Sequence, residues 1–167
     1  MVQIGVIGSG LDINKEVWDI AYEIGYEIAK KDAILICGGK GGVMEAACKG
    51  CHDAGGVSVG ILPSINKEEA NPYVKIKIPT NLGENRNYIV VQSSDALICI
   101  AGAVGTRMEA NYSLKLNKIL VTIPITGGVS KEFSEKYGNK KDYRVYIANN
   151  SKEAINIAFE KISEFNI

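Results

Sequence analysis

The stretch Asp95-Ala-Leu-Ile-Cys-Ile-Ala-Gly-Ala-Val-Gly-Thr-Arg-Met-Glu109 runs from an apolar, β-rich segment through a turn of small residues to a threonine and a carboxylate. A buried strand that enters a glycine-bearing turn and leaves as a helix is the repeating unit of a parallel sheet. The turn also has the make-up of an anion site. N–H groups unpaired in the first turn of a helix, together with the positive end of its dipole, hold an anion where glycine lets the main chain come close. Glu109 follows Thr106 by about one helical turn, so its side chain projects from the same end. A carboxylate facing a bound sugar phosphate points to glycosidic chemistry.

The same rhythm extends outward in both directions. Strands are expected at Val2–Ile7, Ala33–Cys37, Val57–Leu62, Tyr73–Ile78, Ile119–Ile123 and Arg144–Ile147, besides Asp95–Ile100. Helices are expected over 14–31, with Val17, Ile20, Ala21, Ile24 and Ile28 at helical spacing and Asn14 as N-cap, and over 43–54, 84–93, 106–116 and 151–165. Residues 124–143 read as a loop containing glycine and lysine. Strands alternating with amphipathic helices predict one α/β domain over residues 1–167, a doubly wound, mostly parallel sheet with helices on both faces. In such sheets ligands bind beyond the carboxyl ends of the strands. Three glycine turns fall there: Gly8-Ser9-Gly10, Gly38 to Gly42, and Gly102 to Gly105. Tight strand-to-helix turns alone explain one such site and even two, but strain to explain all three. Gly41 follows Lys40 where a P-loop requires serine or threonine, which excludes that motif.

Composition narrows the partners. Nineteen basic and nineteen acidic residues cancel, so nothing recommends nucleic acid or an anionic membrane. No apolar run approaches the ~20 residues needed to span a bilayer. The first residues read as a strand rather than a signal peptide, and four cysteines without an export signal indicate thiols in the cytoplasm. Cys48-Lys-Gly-Cys-His52 fits the pattern for covalent haem, but that attachment follows export. The segment falls inside a small-residue helix where cysteine packs like alanine, and no metal or resident cofactor is expected.

The chain has three arginines, Arg86, Arg107 and Arg144, against sixteen lysines. Guanidinium is the better bidentate partner for phosphate or carboxylate, and Arg86 opens a helix after a loop, at a strand-end rim. Gly38-Gly39-Lys40-Gly41-Gly42-Val43-Met44, then Arg86, then Ala101 to Glu109 resemble the motifs of the Lonely Guy family, long known as lysine-decarboxylase-like, whose third motif usually reads PGGxGTxxE. The resemblance runs from the first strand through Ile123 and includes the branch of molybdenum-cofactor carrier proteins.

It implies a Rossmann-like domain with Arg86 and Glu109 catalytic in hydrolysis of the N-glycosidic bond of a nucleoside 5′-monophosphate. It further implies a phosphate held by Gly102, Ala103, Gly105 and Thr106, and a nucleotide held by Gly8, Ser9, Gly10, Gly38, Gly39, Gly42 and Met44. Arg86 would then orient Glu109 and keep it ionised. The departures are Ala101 for proline, Ala103 for glycine and Asn87 for lysine, and they point toward the carrier branch. Two functions follow: a phosphoribohydrolase, or a carrier or sensor of a phosphorylated ligand. Apolar residues on several sides of the helices at 84–93 and 106–116, among them Tyr88, Val90, Tyr112 and Leu114, predict a homodimer or higher homo-oligomer.

Overall fold

The computed structural model describes residues 1–167. Its elements in chain order are β1 (Gln3–Gly8), α1 (Lys15–Lys30), β2 (Ile34–Cys37), α2 (Val43–Asp53), β3 (Val57–Leu62), β4 (Ile76–Pro79), α3 (Arg86–Ser93), β5 (Ala96–Ile100), α4 (Val104–Lys115), β6 (Ile119–Thr122), α5 (Gly128–Tyr137), β7 (Val145–Ile147) and α6 (Ser151–Glu164). All seven strands join one parallel sheet in the order β4-β3-β2-β1-β5-β6-β7. The chain leaves β1 toward one edge, then returns to add β5 on its other side. Strand order therefore reverses between β1 and β5, where open α/β sheets form their ligand crevice.

Each helix is placed by its apolar stripe. In α1, Val17, Ala21, Ile24 and Ile28 are buried on one side, and the Asn14 side chain accepts from the Val17 N–H at 2.9 Å. Burying an isoleucine such as Ile24 contributes about 1.5–3 kcal/mol, so four positions in register suffice to fix the helix on the sheet. On that face α1, α2 and α6 share one core; on the other, Val90 and Val91 of α3, Ala110 of α4 and Phe133 of α5 share a second. The strands are covered on both sides, which is why β5 is buried at all five positions. Helices α1 and α2 approach so closely that a Cβ on Gly25 would lie 1.8 Å from the Ala47 carbonyl oxygen, and only glycine fits. No helix is long and apolar enough to cross a membrane.

The architecture is the one expected, with local differences, among them a start of α3 at Arg86 rather than at 84. Helix α5 occupies what reads as loop. Strand β4 begins at Ile76 rather than Tyr73, because Asn71 ends the preceding segment in a turn: its Oδ1 accepts from the Tyr73 N–H and its backbone carbonyl from Val74. Helix α4 begins at Val104, two residues earlier than expected, and this brings more of the glycine turn into its first turn.

Candidate functional site

A cleft of about 540 Å³ opens at the carboxyl ends of β1 and β5. Gly8, Ser9, Gly10 and Met44 line one side; Ala103, Gly105 and Thr106 line the other; Arg86 and Glu109 also face it. The structure thus brings together nine of the thirteen residues singled out in the sequence. The other four, Gly38, Gly39, Gly42 and Gly102, stand behind the lining as supports. The Gly38 carbonyl accepts from Arg86, the Gly39 carbonyl accepts from the Asn71 N–H at 2.9 Å, and Gly42 packs against the Ser9 carbonyl.

The N-terminus of α4 is uncapped. Ala103 in the N-cap position offers no side-chain acceptor, and the first bond of the helix is Arg107 N–H to the Ala103 carbonyl at 2.9 Å. The N–H groups of Val104, Gly105 and Thr106 have no acceptor in the protein. Three amides and a helix dipole therefore converge on the cleft.

The turn that aims them is held from α5. The Ala101 N–H donates to Thr126 Oγ1 at 2.8 Å, the Ala101 carbonyl accepts from Ser130 N–H at 3.0 Å, and the Gly102 carbonyl accepts from Val129 N–H at 3.2 Å. Ala101 has φ +51° and Gly102 φ +105°. A proline, with φ fixed near −65°, cannot occupy position 101 in this turn, so the alanine there marks a different backbone path from the usual motif. A side chain on Gly102 would collide with Thr106. Thr126, Val129 and Ser130 were not foreseen as part of the site. Their only trace in the sequence is Gly127-Gly128 followed by Val129 and Phe133 four residues apart.

Arg86 and Glu109 do not pair as expected. The Arg86 guanidinium is buried and committed elsewhere: Nε donates to the Ile61 carbonyl at 2.9 Å, Nη2 to the Gly38 carbonyl at 3.4 Å and Nη1 to Asn87 Oδ1. It ties the ends of β2 and β3 to α3. Glu109 is 8% exposed, makes no hydrogen bond, and faces the cleft. Burial pushes its carboxyl up to about 8, Arg86 opposes this from a distance, and Glu84 adds to it. Arg86 therefore makes no bond that would orient Glu109, and desolvation outweighs a guanidinium already bonded to carbonyls in setting the carboxyl.

Neighbouring groups complete the rim. Lys40 lines the cleft and its Nζ lies 3.5 Å from Glu69 Oε2, while Asn71 Nδ2 donates to the Lys40 carbonyl at 2.9 Å. The loop before β4 is thereby fastened to the Gly38–Gly42 turn. Arg107 points away from the cleft into an ion pair with Glu132 of α5 at 2.7 Å. Arg144 lies over the Phe165 ring. Cys48 and Cys51 are core residues of α2, and burial pushes the Cys51 thiol up to about 12.

Residues 1–155 match the family model described as the SLOG cluster4 family. The chain belongs to the SLOG cluster4 family. A protein of Archaeoglobus fulgidus described as uncharacterized is 46% identical over 123 residues, covering 74% of this chain and 80% of that one. Among solved structures, the molybdenum cofactor binding protein of Rippkaea orientalis superposes with a TM-score of 0.86 at 33% identity, covering 96% of this chain and 97% of that one. The molybdenum cofactor carrier protein of Chlamydomonas reinhardtii gives 0.84 at 32% identity, covering 98% and 99%. DNA processing protein A of Helicobacter pylori, at 18% identity and a TM-score of 0.73 over 96% of this chain and 81% of that one, shares the fold alone. The SLOG cluster4 family thus has solved structural relatives in the molybdenum cofactor carrier proteins, the branch that the resemblance in sequence includes.

Proposed function

We propose that this SLOG cluster4 protein binds a small phosphorylated ligand and carries it without cleaving it, with the molybdenum cofactor, a phosphorylated pterin, as the cargo most consistent with its structural relatives. Val104, Gly105 and Thr106 receive the phosphate on their N–H groups. Gly8, Ser9, Gly10 and Met44 border the rest of the ligand, with the thioether beside its ring. Gly102 and Ala103 shape the turn; Gly38, Gly39 and Gly42 support the opposite wall.

The observation that carries this reading is the row of unpaired N–H groups at Val104, Gly105 and Thr106, facing a cleft in a chain whose solved relatives include molybdenum cofactor carrier proteins. Arg86 is bonded to carbonyls and not to Glu109, so the two residues do not form the pair that hydrolysis would use. The lining offers only two cations, Lys40 and Arg86, and Arg86 is already bonded to carbonyls, which favours a small ligand over a nucleic-acid strand. The reading extends to a homodimer through α3 and α4 and to a cytoplasmic setting, in keeping with four cysteines present as thiols.

The test is titration calorimetry with molybdenum cofactor released from a molybdoenzyme, in parallel with chromatography for free adenine after incubation with adenosine 5′-monophosphate. Cofactor binding with no adenine release above the protein-free rate is the expected result. Adenine released by wild type but not by Glu109→Ala overturns it in favour of a phosphoribohydrolase. Absence of heat with every phosphorylated compound overturns both.

A further inference from the structure

Glu84 holds a position in the cleft that the phosphate reading leaves without a role. It belongs to a single 3-10 turn, Gly83–Asn85, that leads into α3, and its side chain is 74% exposed. Its Oε2 nevertheless lies 3.7 Å from Arg86 Nη1 and 3.5 Å from Asn87 Nδ2, and only 3.9 Å from where a Cβ on Gly105 would sit. It lines the same cleft as the three free amides of α4. The first turn of α4 contains no acidic residue of its own, so a carboxylate from a different element supplies the negative charge at the positive end of this helix. The unpartnered and buried Glu109 faces the same space. The exposure of the Glu84 side chain leaves solvent for an outward swing.

Resting on the reading of this turn as a phosphate site, we propose that Glu84 is a resident competitor of the ligand: its carboxylate occupies the approach to the Val104–Thr106 amides while the cleft is empty and swings into solvent as the phosphate enters. Both cannot stay. A dianion on the amides and a carboxylate a few ångströms away repel through partly hydrated surroundings, and this repulsion is short-ranged because salt screens exposed charges over about 8 Å at physiological ionic strength. Glu84 then sets how tightly the site holds a phosphate, and keeps the affinity low enough for the ligand to be passed on. A role confined to holding Arg86 or Asn87 in place predicts the opposite sign for its removal.

The experiment is calorimetric titration of wild type, Glu84→Gln and Glu84→Asp with inorganic phosphate and with adenosine 5′-monophosphate, at low and at high salt. Melting curves confirm that this exposed substitution leaves the fold intact. Glu84→Gln is expected to bind about five- to thirtyfold more tightly at low salt, with the gain shrinking at high salt, as removal of one nearby like charge requires. Glu84→Asp keeps the charge but shortens its reach, and falls between the two. Binding by Glu84→Gln where wild type shows none also supports the proposal. Equal affinities for all three proteins, a gain independent of salt, or weaker binding by Glu84→Gln overturns it while leaving the phosphate site standing. If no form binds either probe, the phosphate site fails and Glu84 has nothing to compete with.

Discussion

A carboxyl group that is more than nine-tenths buried and receives no hydrogen bond keeps its proton well above the range of exposed glutamates, and in this protein that group is Glu109. The consequence for stability follows from linkage. Glu109 ionises near 4.5 in the unfolded chain and about 8 in the folded one, so between these values the unfolded chain gives up a proton that the folded chain retains. Stability of the empty protein is therefore expected to fall as pH rises from 4.5 toward 8, and then to level off. Glu109→Gln keeps the shape and removes the titration. It should match wild type near pH 4.5 and exceed it by up to about 4 kcal/mol near pH 8, measured by denaturant unfolding across that range. A constant difference at all pH values would show that Glu109 ionises normally. That Glu109 faces the cleft was readable from its place one turn beyond Thr106. Its protonation was not, because it depends on what Arg86 does, and Arg86 bonds to the carbonyls of Ile61 and Gly38. Every residue has a carbonyl, so those partnerships leave no mark in the sequence.

At the scale of elements, β5 and α4 were legible because their signals are local: an unbroken apolar run, small residues, then helical spacing. Helix α5 was not, although it holds the Ala101–Gly102 turn. Its buried side carries Ser130 and Ser134, whose hydroxyls donate to the Cys99 carbonyl at 2.8 Å and to Thr122 Oγ1 at 2.7 Å. Buried serines look like a solvated face when only polarity is read, and Gly127-Gly128 completes the appearance of a loop. Just ahead of α5, Thr126 gives the element a measurable link to the site. Its Oγ1 accepts from the Ala101 N–H and donates to the Ile123 carbonyl at 2.6 Å. Thr126→Val keeps the volume and strands both groups, at an expected cost of about 1–3 kcal/mol in stability. It should also weaken phosphate binding measured by calorimetry, because the amides of α4 lose their aim, whereas Thr126→Ser should restore both. Wild-type affinity in Thr126→Val would show that the turn holds its shape without α5.

Across the whole molecule, apolar surface concentrates on the α3 and α4 side. Tyr88 and Tyr112 meet edge to face with ring centroids 4.6 Å apart, and Val104 and Leu116 at the two ends of α4, with Leu82 ahead of α3, stay exposed. Ile76 and Ile78 of the edge strand β4 share that face, since Ile76 pairs in register with Val59, which belongs to the α3-side core. A patch of this kind beside the cleft is what a second copy of the chain would cover. Light scattering on an eluting gel-filtration peak should give twice the chain mass for wild type and the single-chain mass for Tyr88→Asp; a wild-type monomer would refute the dimer.

The sheet order has a further consequence, for the chain while it is being made. Ile4 of β1 pairs with Leu35 on one side and with Ala96 on the other. Until β5 emerges from the ribosome, the central strand of the finished sheet has an open hydrogen-bonding edge, and the growing polypeptide presents a template to any extended neighbour. The seam where the cleft forms thus closes only after β2, β3 and β4 have been made, and the half-built sheet stays open along its middle until then.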